Sequence, residues 1–316
     1  MAEKIATREA YGRALVALGA ANPDIVVLDA DLAKSTKTID FKKRFPERFF
    51  DFGVAEQNMM GTAAGLAAAG KIPFCSTFAV FATGRAFDQI RQSIAYPRLN
   101  VKIAASHAGI TVGEDGSSHQ SVEDIALMRA LPNMTVFVPA DAVEVAGAVK
   151  AAAALDGPVY IRLGRAPVPV IHGEDFVFRP GEAVLLRPGN DATVIATGIM
   201  VAAALEAAAV LAQEGVAVRV LNAHTIKPLD VAAVTRAALE TGAVVTAEEH
   251  NIIGGLGSAV AEVLGEHCPV PLKRVGIRDT FGESGKPQEL LEKYGLTPAD
   301  IVAAVREVLG RKGKNS

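Results

Sequence analysis

Near-continuous apolar runs of strand length recur along the first half of the chain: IVVLDA from Ile25, IPFCS from Ile72, VKIAAS from Val101, MTVFVP from Met134 and PVYIRL from Pro158, each separated by a helix-length pattern. A strand that is apolar on both faces must be covered on both faces. This alternation therefore predicts a doubly wound, mostly parallel sheet flanked by helices, over roughly residues 1–170. Pro167, Pro169, Pro180 and Pro188 with Gly173, Gly181 and Gly189 then interrupt regular structure, leaving room for one short strand at Ala183–Leu186. Beyond them ATVIATG, VAVRVLNA and GAVVTAEE alternate with helices beginning near Met200, Asp230 and Gly257, and a last helix is expected from Pro298 to Leu309. The expected architecture is α/β with two domains, 1–170 and 191–316, each a mostly parallel sheet flanked by helices, joined by a linker over 171–190.

A chain of 316 residues suits two domains better than one core. Half of it is hydrophobic and only 21% is charged, which implies large buried interfaces. The longest apolar stretch, Ala192–Ala212, is broken by Gly198 and Glu206 and reads as a strand followed by a core helix, not a membrane span. A net charge of -3 without a basic cluster argues against a nucleic-acid footprint. The RKGK at 311–314 is expected to be a solvated, frayed tail. Cys75 and Cys268 have no metal-ligand spacing and no signal peptide precedes the first helical pattern at Thr7, so a cytoplasmic protein is expected.

Ligands of open α/β sheets sit beyond the carboxyl ends of the strands, so the segments that follow them carry the argument. In DFGVAEQNMMGTAAGLAAAG, residues 51–70, Glu56 stands where a helix begins. An acid in the first turn gains about 0.3–1 kcal/mol from the helix dipole. Its neighbours Val54, Met59 and Met60 and the Gly61/Gly65 face predict burial instead, and a buried carboxylate needs a partner or stays protonated. Phe74, Phe78, Phe81 and Phe87 cluster within residues 74–87 of a chain that has only 13 Phe and 4 Tyr. Helical spacing favours core packing for most of them, while an aromatic pair at a helix start also makes a stacking wall for a flat heterocycle. HAGITVGEDGSSHQSVED, residues 107–124, carries His107 and His119, a turn at Asp115–Gly116 and a capping-box-like Ser121 to Asp124. Composition alone allows this to be a surface loop, and the histidine spacing is a poor zinc pattern. GESGKP at 282–287 lacks P-loop spacing, and the lone GGLGS at 254–258 is weak evidence for a dinucleotide. His250, in AEEHN, is expected to be structural.

Taken together, IATRE (5–9), DADLAKS (29–35), FGVAEQN (52–58), STFAVF (76–81), SHAGITVGEDGSSHQSVED (106–124) and LPNMTVFVPAD (131–141) resemble the thiamine-diphosphate-dependent transketolase family across nearly the whole chain. The resemblance implies a pyrimidine-binding domain followed by the family's C-terminal domain. It implies that Glu56 bonds a ring nitrogen of the cofactor's aminopyrimidine and drives it toward the imino form that takes the thiazolium proton. Phe78 and Phe81 would wall the pyrimidine, and Asp31 would lie near the thiazolium. His107 and His119 would contact donor hydroxyls and assist proton transfer, with Asp115 reading a hydroxyl's configuration. Arg8, Ser35, His107 and Arg165 would hold the sugar phosphate.

Three departures accompany the resemblance. A third aromatic of the pyrimidine pocket falls on Gly84, and Gln57 stands where many relatives carry His. The diphosphate-binding domain, with its Gly-Asp-Gly motif and magnesium, has no counterpart here. The chain is thus expected to be one subunit of a split enzyme, a homodimer within an α2β2 assembly whose N-terminal partner binds the diphosphate and Mg2+. The expected reaction is transfer of a two-carbon ketol unit from a ketose phosphate to an aldose phosphate. The alternatives are a deoxyxylulose phosphate synthase or an oxo-acid dehydrogenase subunit, both of which would use a 2-oxo acid. A non-catalytic protein on the same fold would be expected to have lost Glu56, Asp115, His107 or His119. A nicotinamide-dependent dehydrogenase lacks its fingerprint loop here.

Overall fold

The computed structural model describes residues 3–312. Its strands are β1 (Lys4–Ala6), β2 (Ile25–Asp29), β3 (Phe49–Asp51), β4 (Ile72–Phe78), β5 (Lys102–Ser106), β6 (Thr135–Phe137), β7 (Val159–Arg162) and β8 (Pro167–Pro169). The second half adds β9 (Val184–Arg187), β10 (Ala192–Ala196), β11 (Val218–Asn222), β12 (Thr225–Lys227), β13 (Val244–Asn251) and β14 (Leu272–Ile277). The large sheet has the order β12-β6-β7-β5-β4-β2-β3 and is parallel except for β12; the second runs β14-β13-β10-β11-β9 and is parallel except for β9. Every residue of β2, β5, β7 and β10 is buried, as expected of strands covered on both faces.

The expected α/β class and the helix starts agree with the structure: Thr7–Ala21, Met200–Gln213, Val231–Thr241 capped by the Asp230 side chain, Leu256–His267, and Pro298–Lys312. Four details differ. Within the stretch read as irregular, Pro167–Pro169 forms an edge strand against β1, where proline's missing N–H costs nothing. Ser121 and Asp124 form no capping box: the helix Asp124–Ala130 has no side-chain cap, the Ser121 hydroxyl has no partner, and Asp124 is drawn into a buried ion pair with Arg162 (2.8 Å). Arg311 and Lys312 are the last residues of a helix, Lys312 Nζ donating to the Thr241 carbonyl (2.7 Å), whereas the Gly313–Lys314 part of the expected tail lies outside the described residues.

The fourth difference concerns the boundary between the two halves. β12 leaves its own half and pairs antiparallel with β6, extending the first sheet. Leu256, Val260 and Leu264 of the second half belong to the same apolar cluster as Ile103, Ile125 and Met128 of the first. The two sheets therefore share a core. At about 1.5–3 kcal/mol for each fully buried aliphatic side chain, the seam is held firmly. Among the described residues no helix is long and apolar enough to cross a membrane.

Candidate active site

The turn after β2 is built around Asp29. Its buried carboxylate accepts from Leu32 N (2.7 Å), Thr36 Oγ1 (2.7 Å) and Thr38 Oγ1 (2.8 Å), and burial pushes its pKa up to about 6 despite these donors. That knot orders residues 31–38, which carry Asp31 and Ser35. Gly12 lets the same segment close on the first helix, because a Cβ there would meet the Lys37 carbonyl at 2.7 Å. The Arg8 Nη1 in turn donates to the Ser35 carbonyl (2.8 Å). Ser35 thus meets Arg8 through its backbone. Asp31 is exposed, with its N–H donating to Asp51 Oδ1 (3.1 Å) at the end of β3.

Asp31 and His107, each just beyond a central strand, have positive φ values of 61° and 56°. Non-glycine residues are strained there and persist where surroundings impose the geometry, as at functional sites. The His107 ring lies flat against Phe78 (centroids 3.7 Å, 16°), Phe78 stacks on Phe81 (5.7 Å, 10°), and His119 stands edge-on to both phenylalanines. Each histidine is hydrogen-bonded at Nδ1 to the preceding serine, Ser106 at 2.8 Å and Ser118 at 2.9 Å, which leaves Nε2 for another partner. Of the four clustered phenylalanines, Phe74 is pure core, Phe78 is buried within the ring stack, and Phe81 and Phe87 are half-buried. Core packing and wall are thus divided among them.

Glu56 opens the helix Glu56–Ala68 and is 4% exposed. The burial expected for it is observed, but not from all of the neighbours named for it: Met59 and Met60 are fully buried, while Val54 is 73% exposed and Gly61 and Gly65 lie on an open face. The carboxylate's partner is Arg85, whose Nη1 lies 3.1 Å from Oε1 and whose guanidinium sits 4.2 Å from the Phe81 centroid. Arg85 is half exposed, so the pair contributes at most about 1 kcal/mol. It belongs to a five-residue π-helical turn, Phe81–Arg85, that follows β4. Glu56, Gln57 and Arg85 border an open cavity of about 760 Å3 with Val54, Ala55 and Asn58. Gly84 is exposed, with nothing within 4 Å of where a Cβ would stand.

Burial, Arg8, Arg165 and His119 together lower the His107 pKa to about 3, so the ring is neutral near pH 7. Burial and then Arg165 depress Arg8 as well. Arg8, Arg165 and His119 all act on the charge of the His107 ring, and Arg165 acts on that of Arg8, so the four side chains form one cationic cluster. Arg8 Nε is buried there without a partner. Arg165 donates to the Val112 carbonyl and lies 3.7 Å from Glu114 and 3.8 Å from Asp115, which brings the exposed Asp115 to the pocket's edge. Of the ten residues singled out from the sequence, Phe78 ends β4 and the other nine stand on segments beyond the carboxyl ends of strands or on the helices beside them. Arg85, Ser106, Ser118 and Asp29 were missed. Only Arg85 left a trace, in its place beside the anomalous Gly84.

The sequence also matches two family models, Transketolase, pyrimidine binding domain over residues 3–170 and Transketolase, C-terminal domain over residues 181–301. The chain belongs to the transketolase family. It is 52% identical to the 6-deoxy-6-sulfo-D-fructose transketolase subunit SqwH of Clostridium sp. (strain MSTE9), over 96% of this chain and 95% of that one. Rat transketolase is 42% identical over 96% of this chain, which spans only 49% of the rat protein. A solved split gene transketolase, an inactive beta4 tetramer, superposes with a TM-score of 0.92 at 63% identity, over 98% of this chain and 99% of that one. These relatives favour a transketolase subunit over the deoxyxylulose phosphate synthase and oxo-acid dehydrogenase alternatives. The family implies thiamine diphosphate and a divalent metal. A buried carboxylate bordering an open cavity beside stacked phenyl rings fits the pyrimidine end of that cofactor. Among the described residues no group of three or more His, Cys, Asp or Glu could hold a metal ion.

Proposed function

We propose that this chain is the pyrimidine-binding subunit of a split transketolase that moves a two-carbon ketol unit from a ketose phosphate to an aldose phosphate. Residues 1–170 form the pyrimidine-binding domain, 171–190 the linker and 191–316 the C-terminal domain. A separate diphosphate-binding subunit completes the site and holds Mg2+, in an assembly with two copies of each chain. The supporting observation is the continuous ring stack Phe81–Phe78–His107, which joins the side bearing Glu56 to the Arg8–Arg165 pocket.

Bound thiamine diphosphate supplies the nucleophile and electron sink for carbon–carbon cleavage. Glu56 would hold the pyrimidine ring by a hydrogen bond to its ring nitrogen and set its tautomer, while Phe78 and Phe81 would exclude water from the ring face. Asp31 would stand near the thiazolium end of the bound cofactor. Arg8 and Arg165 bind the terminal anion by charge-assisted hydrogen bonds, with Ser35 fixing Arg8 through its carbonyl. His107, neutral near pH 7, and His119 donate to or accept from the sugar hydroxyls through Nε2, and Asp115 reads one hydroxyl's configuration.

Arg8→Ala and Arg165→Ala in the assembled enzyme are expected to raise KM for a ketose phosphate by about tenfold or more each. A neutral ketose should be affected far less. 6-Deoxy-6-sulfo-D-fructose, the sugar that gives the clostridial relative its name, offers a sulfonate to the same arginines and is the second donor to compare. Equal losses on charged and neutral donors would remove the anion-binding role.

A further inference from the structure

The loop between β5 and the helix Asp124–Ala130 carries His107, Asp115 and His119; Leu163 and Arg165 hold it from its own half, and four further hydrogen bonds tie it to the other half of the chain. Glu249 in β13 accepts from the Thr111 N–H through Oε1 (2.7 Å). The Asn251 N–H donates to the Val122 carbonyl (2.8 Å) at the loop's far end. The 281–285 segment covers the middle: Gln120 Nε2 reaches the Glu283 carbonyl (2.8 Å), and Ser284 Oγ donates to the Glu114 carbonyl (2.6 Å).

Gln120 also ties the loop to itself, its Nε2 lying 3.2 Å from the Ile110 carbonyl and 3.3 Å from that of Gly113. The glycines at the contact leave no room for side chains. A Cβ on Gly109 would collide with the Glu249 carboxylate and one on Gly282 with the Gln120 amide, and one on Gly113 would press on Pro287 at 3.3 Å. Arg162 locks the clamp from beneath. It is paired with Asp124 and donates to the Glu249 carbonyl (2.9 Å). A loop rich in glycine would otherwise have many conformations, and reacting groups out of place by about 1 Å can cost on the order of 10²-fold in rate.

We propose that the C-terminal domain acts in catalysis as a clamp on the substrate loop, with Gln120 and Glu249 as positioning residues for Asp115 and His119. The catalytic part rests on the transketolase reading; the clamp itself does not.

The test uses Gln120→Leu, which keeps the volume and removes the donors, and Ser284→Ala, an exposed site whose change cannot unfold the chain. Glu144→Gln is the comparison, since it perturbs a buried bond across the same seam, to Asn222, away from the loop. Hydrogen exchange on the full chain should be about tenfold or more faster at amides 110–119 in Gln120→Leu and Ser284→Ala, and unchanged there in Glu144→Gln. In the complex with the diphosphate-binding subunit, the first two variants should raise KM for the ketose phosphate by about tenfold with the cofactor's Kd unchanged. Unaltered loop exchange in both loop variants would overturn the clamp, as would a KM rise in Glu144→Gln that tracks its loss of stability. A wild-type complex without ketol transfer would overturn the transketolase reading, while the exchange result would still decide the clamp.

Discussion

At the scale of single residues, the site depends on two environments joined by the ring stack Phe81–Phe78–His107. Glu56 is a buried acid with one oxygen held by Arg85. In the assembled enzyme Glu56→Gln should lower turnover by about 10²-fold at saturating cofactor, the usual size of a general acid/base contribution. Turnover at the wild-type level would remove Glu56 from the mechanism. His107 is held neutral by burial, the two arginines and His119, with its pKa lowered from 6.5 to about 3. Its depressed value means that the unfolded chain takes up the proton first. Its contribution to stability is therefore complete above about pH 6.5 and is lost as the pH falls toward 3. An anion between Arg8 and Arg165 cancels part of the cause, so inorganic phosphate should move the His107 titration upward when followed by NMR; no movement would separate His107 from the anion pocket. Glu56, His107 and Arg8 were legible because a chemically distinctive residue sits in a motif. Arg85 was not, because its role comes from a contact with a residue of another element.

At the scale of elements, most of the helix starts and the strands β2, β4 to β7, β9 to β11 and β13 could be read from hydrophobic period and turn residues, whereas β1, β3, β8, β12 and β14 were not. The π-helical turn Phe81–Arg85 could not, since five residues are too few to separate its period from that of an α-helix. The false capping box at Ser121 arose because Asp124 has a stronger partner in Arg162 than in any orphan amide. β12 was hidden for another reason. A strand of three residues shows no alternation, and its partner β6 lies in the other half of the sequence. The π-helical turn provides a test of its own. Gly84 is exposed with open space beside it, so Gly84→Ala should stabilise the isolated chain by about 0.4–1 kcal/mol in denaturant unfolding. Destabilisation would mean that the turn requires glycine for its backbone.

At the scale of the molecule, the α/β class and the two halves were readable in the sequence, whereas the shared core and the strand exchanged between the halves are tertiary outcomes. Val54 and Tyr96 stay well exposed, and Gly61 and Gly65 present an open helix face, which is the surface a chain of half-hydrophobic composition would bury against other subunits. In the proposed function this chain provides half of a ketol-transferring site. The direct measurement takes the complex purified from its native cell, adds thiamine diphosphate and magnesium, and compares a ketose phosphate plus an aldose phosphate with pyruvate plus an aldose phosphate. Ketol transfer without release of carbon dioxide, dependent on a second chain, is the expected result. Pyruvate consumption with carbon dioxide release, or full activity of this chain alone, would contradict it.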